Sequence, residues 1–138
     1  MSSDDKQFRD LLLRLQGPDD DDVICDLTVL WSWSGGHLQI VTEALNDEPR
    51  AKRRAALVRL VWETRSADCV PFLALALADA DDRVWKEALD GLVTIGNEGA
   101  LAVLTRERAR LPSASAKVAW VDEAIEQITE SRQRPGAL

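Results

Sequence analysis

The sequence predicts an all-α fold, a right-handed αα-solenoid of about four helix pairs and so about eight helices. Three observations predict it. First, the chain repeats itself about every 32 residues. Moving the segment from Leu38 to Val61 forward sets Ile40 on Phe72, Val41 on Leu73, Ala44 on Ala76 and Leu45 on Leu77. The same shift sets Asp47 on Asp79, Ala56 on Ala88, Leu57 on Leu89, Leu60 on Leu92 and Val61 on Val93. A fixed period of this size marks units that bury an apolar face only against their neighbours. Second, Ala and Leu dominate, Tyr is absent and Gly is sparse, a composition that leans helical. Third, apolar residues recur at 3–4 spacing between recognisable helix starts and stops.

A first helix is expected from about Asp4 to Gln16, capped by Ser3 or Asp4, with Phe8, Leu11, Leu12 and Leu15 on one face. Gly17-Pro18 ends it, because Pro cannot continue a helix and Gly favours the turn. The second helix runs from about Asp20 to Trp33 and the third from Gly36 to Leu45, with a turn at Asn46–Glu48. Pro49 falls in the first turn of the fourth helix, which ends near Arg65. Ser66 caps a fifth helix from Ala67 to Ala78, whose Pro71 is tolerated only in the first turn. The turn at Asp79–Asp82 leads to the sixth helix, Asp82 to Ile95, closed by Gly96. Asn97 caps the seventh helix, which ends before Pro112. The eighth runs from about Ala114 to Ser131, with Val118, Val121, Ile125 and Ile128 as its apolar stripe. Residues 1–131 read as one domain and 132–138 as a flexible C-terminal tail. The first pair keeps the offset (Phe8 on Ile40, Leu13 on Leu45). The last pair slips by a residue either way because the turn LPSAS is longer.

The stretch from Val70 to Leu104 carries an A-L pair at Ala76-Leu77, an Asp-rich turn at Asp79–Asp82, Val84 with Ala88-Leu89, and an Ile95-Gly96-Asn97 break. In these features it resembles the short HEAT repeat of the phycobilin-lyase type. The resemblance is strong over this unit, fair over Leu38–Arg65 and weak at both ends. It implies first helices on the convex side and second helices on the concave side. The ankyrin T-P-L-H signature is absent. The resemblance implies a scaffold, and a scaffold does not fix a function. The lyases need more repeats than this chain has, so that activity is not expected.

Net charge is −7, which opposes nucleic-acid binding, where affinity comes from neutralising phosphates, and favours a basic partner. Cys25 and Cys69 sit in apolar contexts without a CxxC neighbour, and read as reduced, buried thiols. The opening MSSDDKQFRD lacks the charged-then-apolar run of a signal peptide. No apolar run approaches the ~20 residues of a membrane span. A cytoplasmic protein is therefore expected.

Three features are candidates for binding. Stacked turns should align Asp19, Asp20, Asp21 and Asp22 with Asp47 and Glu48, and with Asp79, Asp81 and Asp82, as one acidic ridge continued by Asp26. Carboxylates that open a helix also serve as caps and meet its positive end, so capping and docking of a basic partner both stand as readings. A calcium loop is the weakest of the three, since its Dx[DN]x[DN]G spacing is missing. Trp85, flanked by Arg83 and Lys86, stands where the repeat usually carries a polar residue, and reads either as an exposed anchor in the concave groove or as partly buried. Arg53 aligns with Trp85 and belongs to a basic strip with Arg50, Lys52, Arg54, Arg59 and Arg65. That strip is either a solvated face with i,i+4 partners or a grip for an acidic surface. Trp31 aligns with Ile95 and reads as packing, while Trp33, Trp62 and Trp120 lie near helix edges, either core or exposed.

Catalysis finds little support, because His37 is the single histidine and no Ser/His/Asp or Cys/His set can be argued. Gly35-Gly36 is followed by no GK[ST] and reads as a turn between repeats. No cofactor and no metal are expected. The expected class is a protein–protein interaction module, most concretely an immunity-type inhibitor that neutralises a basic bacterial toxin. An assembly or regulatory adaptor using the concave groove is the alternative. A nucleic-acid-binding or repair protein, as among alkylpurine glycosylases, is less favoured. Self-association through the last helix stays open.

Overall fold

A computed structural model describes residues 3–33 and 37–133. The turn at Gly35-Gly36, the indole of Trp33, the cap at Ser3 or Asp4, and residues 134–138 of the expected tail lie outside the described residues.

Among the described residues eight α-helices follow one another: α1 (Ser3–Leu12), α2 (Asp21–Trp33), α3 (His37–Asp47), α4 (Ala51–Glu63), α5 (Val70–Ala76), α6 (Asp82–Ile95), α7 (Glu98–Arg110) and α8 (Lys117–Gln133). They pack as four antiparallel-ordered pairs, α1 with α2, α3 with α4, α5 with α6 and α7 with α8, and the pairs stack in chain order. This is the αα-solenoid the period predicts. The boundaries follow local chemistry. Asp81 caps α6 by accepting from the Arg83 N–H at 2.9 Å, and Gly96 closes it in the left-handed region at φ 59°. Asn97 accepts from the Ala100 N–H at 2.8 Å and opens α7.

Several expected boundaries move: α3 runs on to Asp47, which the sequence assigns to the turn, and α8 begins at Lys117 instead of about Ala114 because the turn after Pro112 is longer. The α-helical part of α1 stops at Leu12 and the chain tightens to i→i+3 bonds through Arg14 and Leu15. Pro49 lies ahead of α4, whose N-cap is an extended Arg50. The single helix expected over Ala67–Ala78 is split into a 3₁₀ turn, Ala67–Cys69, and the short α5, since Ser66 caps the 3₁₀ turn through the Asp68 N–H. Residues 132 and 133, assigned in sequence to the tail, belong to α8, and Arg132 reaches Glu98 of α7 at 3.0 Å.

The repeat-aligned apolar residues form the core. Ala56, Leu57 and Leu60 of α4 and Ala88, Leu89 and Leu92 of α6 are buried, as are Phe72 and Leu73 of α5. The most extensive helix–helix contact is between α4 and α6. Gly91 permits it, because a Cβ there would come within 2.7 Å of the Trp62 Cβ. By contrast α3 and α5 barely touch. At the middle of the stack the second-helix layer is therefore the more tightly packed of the two. Trp31 packs edge-on to Phe8 within the first pair, and the buried His37 ring at the start of α3 stacks on Phe8 at 4.2 Å, joining the first pair to the second. Cys69 is buried, and burial pushes its thiol pKa up. Cys25 is exposed on α2, against the expectation of two buried thiols, because the helix turns that position away from the α4 contact. No helix among the described residues is long and apolar enough to cross a membrane.

Candidate functional site

Arginines and a lysine bridge the acidic turns of successive units. Arg54 of α4 donates to both carboxylate oxygens of Asp79, at 2.9 and 3.3 Å, and also to the backbone carbonyls of Glu48 and Pro49. Arg50 reaches back to Gln16 at 3.3 Å and pairs with Glu48 at 3.0 Å. Lys117 at the head of α8 reaches Asp82 at 3.3 Å. Each turn is thus tied to the next.

This separates the predicted ridge into two populations. Asp20 holds the first turn shut by accepting from the Gln16 and Gly17 N–H groups at 2.7 and 3.1 Å, and those two bonds keep its pKa below the ordinary value. Asp81 is a cap whose side-chain and backbone bonds with Arg83 likewise lower its pKa. Glu48 and Asp79 are occupied by arginines and largely withdrawn from solvent. Asp19, Asp22, Asp26 and Asp47 stand exposed. Asp21 and Asp82 are also exposed, although they pair with Arg59 and Lys117. Among the described residues no group of three or more metal-ligating side chains gathers.

Arg53 and Trp85 need correcting. Trp85 is no exposed anchor, and Arg53 borders a cleft between α1 and α3 rather than sharing a concave groove with Trp85. Arg53 is 9 % exposed. Its guanidinium donates to the Leu15 and Leu12 carbonyls at 2.9 Å each, satisfying orphan acceptors at the end of α1. Trp85 is 1 % exposed. Its indole N–H donates to Glu107 of α7 at 2.8 Å, and Lys117 sits 4.9 Å from the ring centre. The expected exposed anchor is excluded because the following repeat covers it. Lys86 does remain at the surface, with its ammonium 5.0 Å from the centre of the Trp120 ring.

Glu107 was not singled out from the sequence. It is a carboxylate at 5 % exposure. Burial pushes its pKa up, but the bidentate Arg110 at 2.7 Å and the Trp85 N–H outweigh that, leaving it below the ordinary value. Buried charges persist where they are paired in this way.

The second-helix layer carries a groove of about 360 Å³ lined by Trp62, Leu89, Asp90, Val93, Trp120 and Glu123 among others. Trp120 is half exposed. Trp62 is partly buried, and its N–H donates to Glu87 at 3.1 Å. Desolvation raises the Glu87 pKa, with the Trp62 bond opposing it. Asp90 keeps an exposed surface, yet partial desolvation by the groove walls raises its carboxyl too. A signal for this groove exists in the repeat. Trp62, Thr94 and Gln127 occupy one repeat position, one residue outside the core column Val61–Val93, and all three line it.

Residues 38–120 match the family model described as HEAT repeats. No curated protein and no solved structure matches the chain. The match spans more than half of the chain, and the helix pairs stack as such repeats do, so the chain belongs to the HEAT repeats family, whose members are generally protein-interaction modules and typically non-catalytic.

Proposed function

We propose that this chain binds a basic protein partner without catalysing a reaction, and that it does so as an immunity-type inhibitor that occludes a basic bacterial toxin in the cytoplasm. Its repeat units are read as the short phycobilin-lyase form serving only as a scaffold. One observation carries the reading. Arg53 and Arg54 of the turn edge are withdrawn onto the α1 carbonyls and Asp79, and the exposed Arg50 and Arg83 are paired with Glu48 and Asp81, while Asp19, Asp22, Asp26 and Asp47 stay exposed beside Lys52. The outward field of that edge is therefore acidic in a protein of net charge −7. Such a field speeds encounter with a basic surface and weakens as salt rises.

Co-purification of the tagged protein from its source, at low and at moderate salt, tests the reading beside an Asp19→Ser, Asp21→Ser, Asp22→Ser variant. Asp20 is kept because it fastens the turn. A stoichiometric basic partner that is lost in the variant or in salt is expected. A partner held equally by both proteins at both salt concentrations would sink the edge as the site. A partner that stays active in the complex would favour an adaptor over an inhibitor. Retarded nucleic acid in a low-salt gel shift would replace both.

A further inference from the structure

We infer that the groove between Trp62 and Trp120 is a seat for a lysine or arginine side chain presented by a basic segment of the partner protein. The inference rests on the basic-partner reading above and names a second surface for it, on the layer formed by α4, α6 and α8. Trp120 is the one large aromatic among the described residues that is half exposed, at 50 %. Its ring already accepts a cation from the chain itself, the Lys86 ammonium at 5.0 Å. Trp62 forms another wall and is held in place from two directions. Its Cβ is seated against Gly91, and its N–H is bonded to Glu87. A fixed indole loses little freedom when a ligand arrives, which favours binding.

The groove also has the right charge. Asp90 and Glu123 stand on its walls, and Leu89 and Val93 supply apolar surface. A long basic side chain matches this arrangement: its aliphatic stem lies on the apolar residues and its charged head meets ring faces and carboxylates. An acidic or neutral apolar ligand meets repulsion or unpaired carboxylates there. Arg59, the nearest arginine on α4, is engaged by Asp21, Glu63 and the Pro18 carbonyl, while the exposed Lys86 ammonium on the Trp120 ring is the cation that an incoming basic side chain would displace. The raised carboxyl of Asp90 agrees with a group that gains from a cation at close range.

The probe is a fluorescein-labelled octalysine peptide, followed by anisotropy at low salt, with an octaserine peptide as control. The indole N–H signals in a nitrogen–proton correlation spectrum report the location. Binding of octalysine alone is expected, with the Trp62 and Trp120 indole signals shifting and those of Trp31 and Trp85 unmoved. Trp120→Ala should weaken it at least fivefold, and so should Asp90→Asn with Glu123→Gln, each with circular dichroism unchanged. Binding that is weakened only by the Asp19, Asp21 and Asp22 changes would overturn the groove and keep the basic-partner reading. Absence of peptide binding while a basic partner co-purifies would also overturn the groove alone. Absence of both would overturn the two together.

Discussion

Arg53 in the second helix pair and Trp85 in the third occupy the same repeat position, and both are buried, yet they do opposite things. Arg53 points its charge backwards onto the α1 carbonyls of the preceding unit. Trp85 is covered from the following unit, by Glu107 and Lys117. A repeat position therefore fixes depth in the stack, while the neighbour on either side decides the chemistry. The two ends of the solenoid are consequently fastened by different means: a charged cap at one, a ring with a buried carboxylate at the other.

The largest effect should come from Trp85→Ala. Removing a fully buried indole costs about 3–5 kcal/mol and should lower the urea midpoint strongly. A loss below 1 kcal/mol would mean that the ring is not the fastener described. The same substitution is for that reason unsuitable as a test of binding. Arg53→Ala comes next, at about 2–3 kcal/mol for two bonds from a charged donor. Its signature is local, with α1 amides losing hydrogen-exchange protection ahead of α6. Uniform loss across the chain would break the comparison.

Glu107→Gln probes the third pair through pH, and about 1–3 kcal/mol is expected for breaking its charged bonds. The folded pKa of Glu107 is lowered, so its contribution is present above the ordinary carboxyl range and is lost as pH falls through the folded pKa. Asp20 and Asp81 act in the same sense. Glu87 and Asp90 act in the opposite sense: their folded pKa values are raised, so the native state gains as pH falls from above those values to the ordinary range. Urea titrations across pH should show the acid-side loss flattened in Glu107→Gln. The gain at higher pH should flatten in Glu87→Gln with Asp90→Asn. An unchanged profile in either variant would contradict these assignments.

The smallest effect contrasts the exits of α4 and α6. Both pass through the left-handed region, at Gly96 with φ 59° and at Arg65 with φ 56°. Only glycine adopts that conformation without steric cost. Arg65→Gly should therefore stabilise by roughly 0.5–1 kcal/mol, and Gly96→Ala should destabilise by about as much. Thermal unfolding of the two variants reads the difference.

The fold was legible because its determinants are local. Helix-period apolar residues, caps such as Asp81 and Asn97, and the stop at Gly96 lie within a turn or two of what they control. The candidate site was legible only in part, because its determinants cross between units. Asp79 meets Arg54 across 25 residues and Trp85 meets Glu107 across 22. Nothing near Trp85 in the sequence announces that α7 covers it. Trp62 and Trp120 stood out as aromatic residues at helix edges, but their common groove exists only once α4, α6 and α8 are laid side by side.

The uneven spacing of the two layers has a mechanical consequence. With Gly91 seating α4 tightly on α6 and α3 touching α5 little, any bending at the middle of the stack would pivot on the α4–α6 contact. Bending there stretches little on the α4–α6 side and opens or narrows the cleft between Leu45 and Leu75. A ligand clasped on the α4–α6 side would therefore register at a distance, as a change in the width of that cleft.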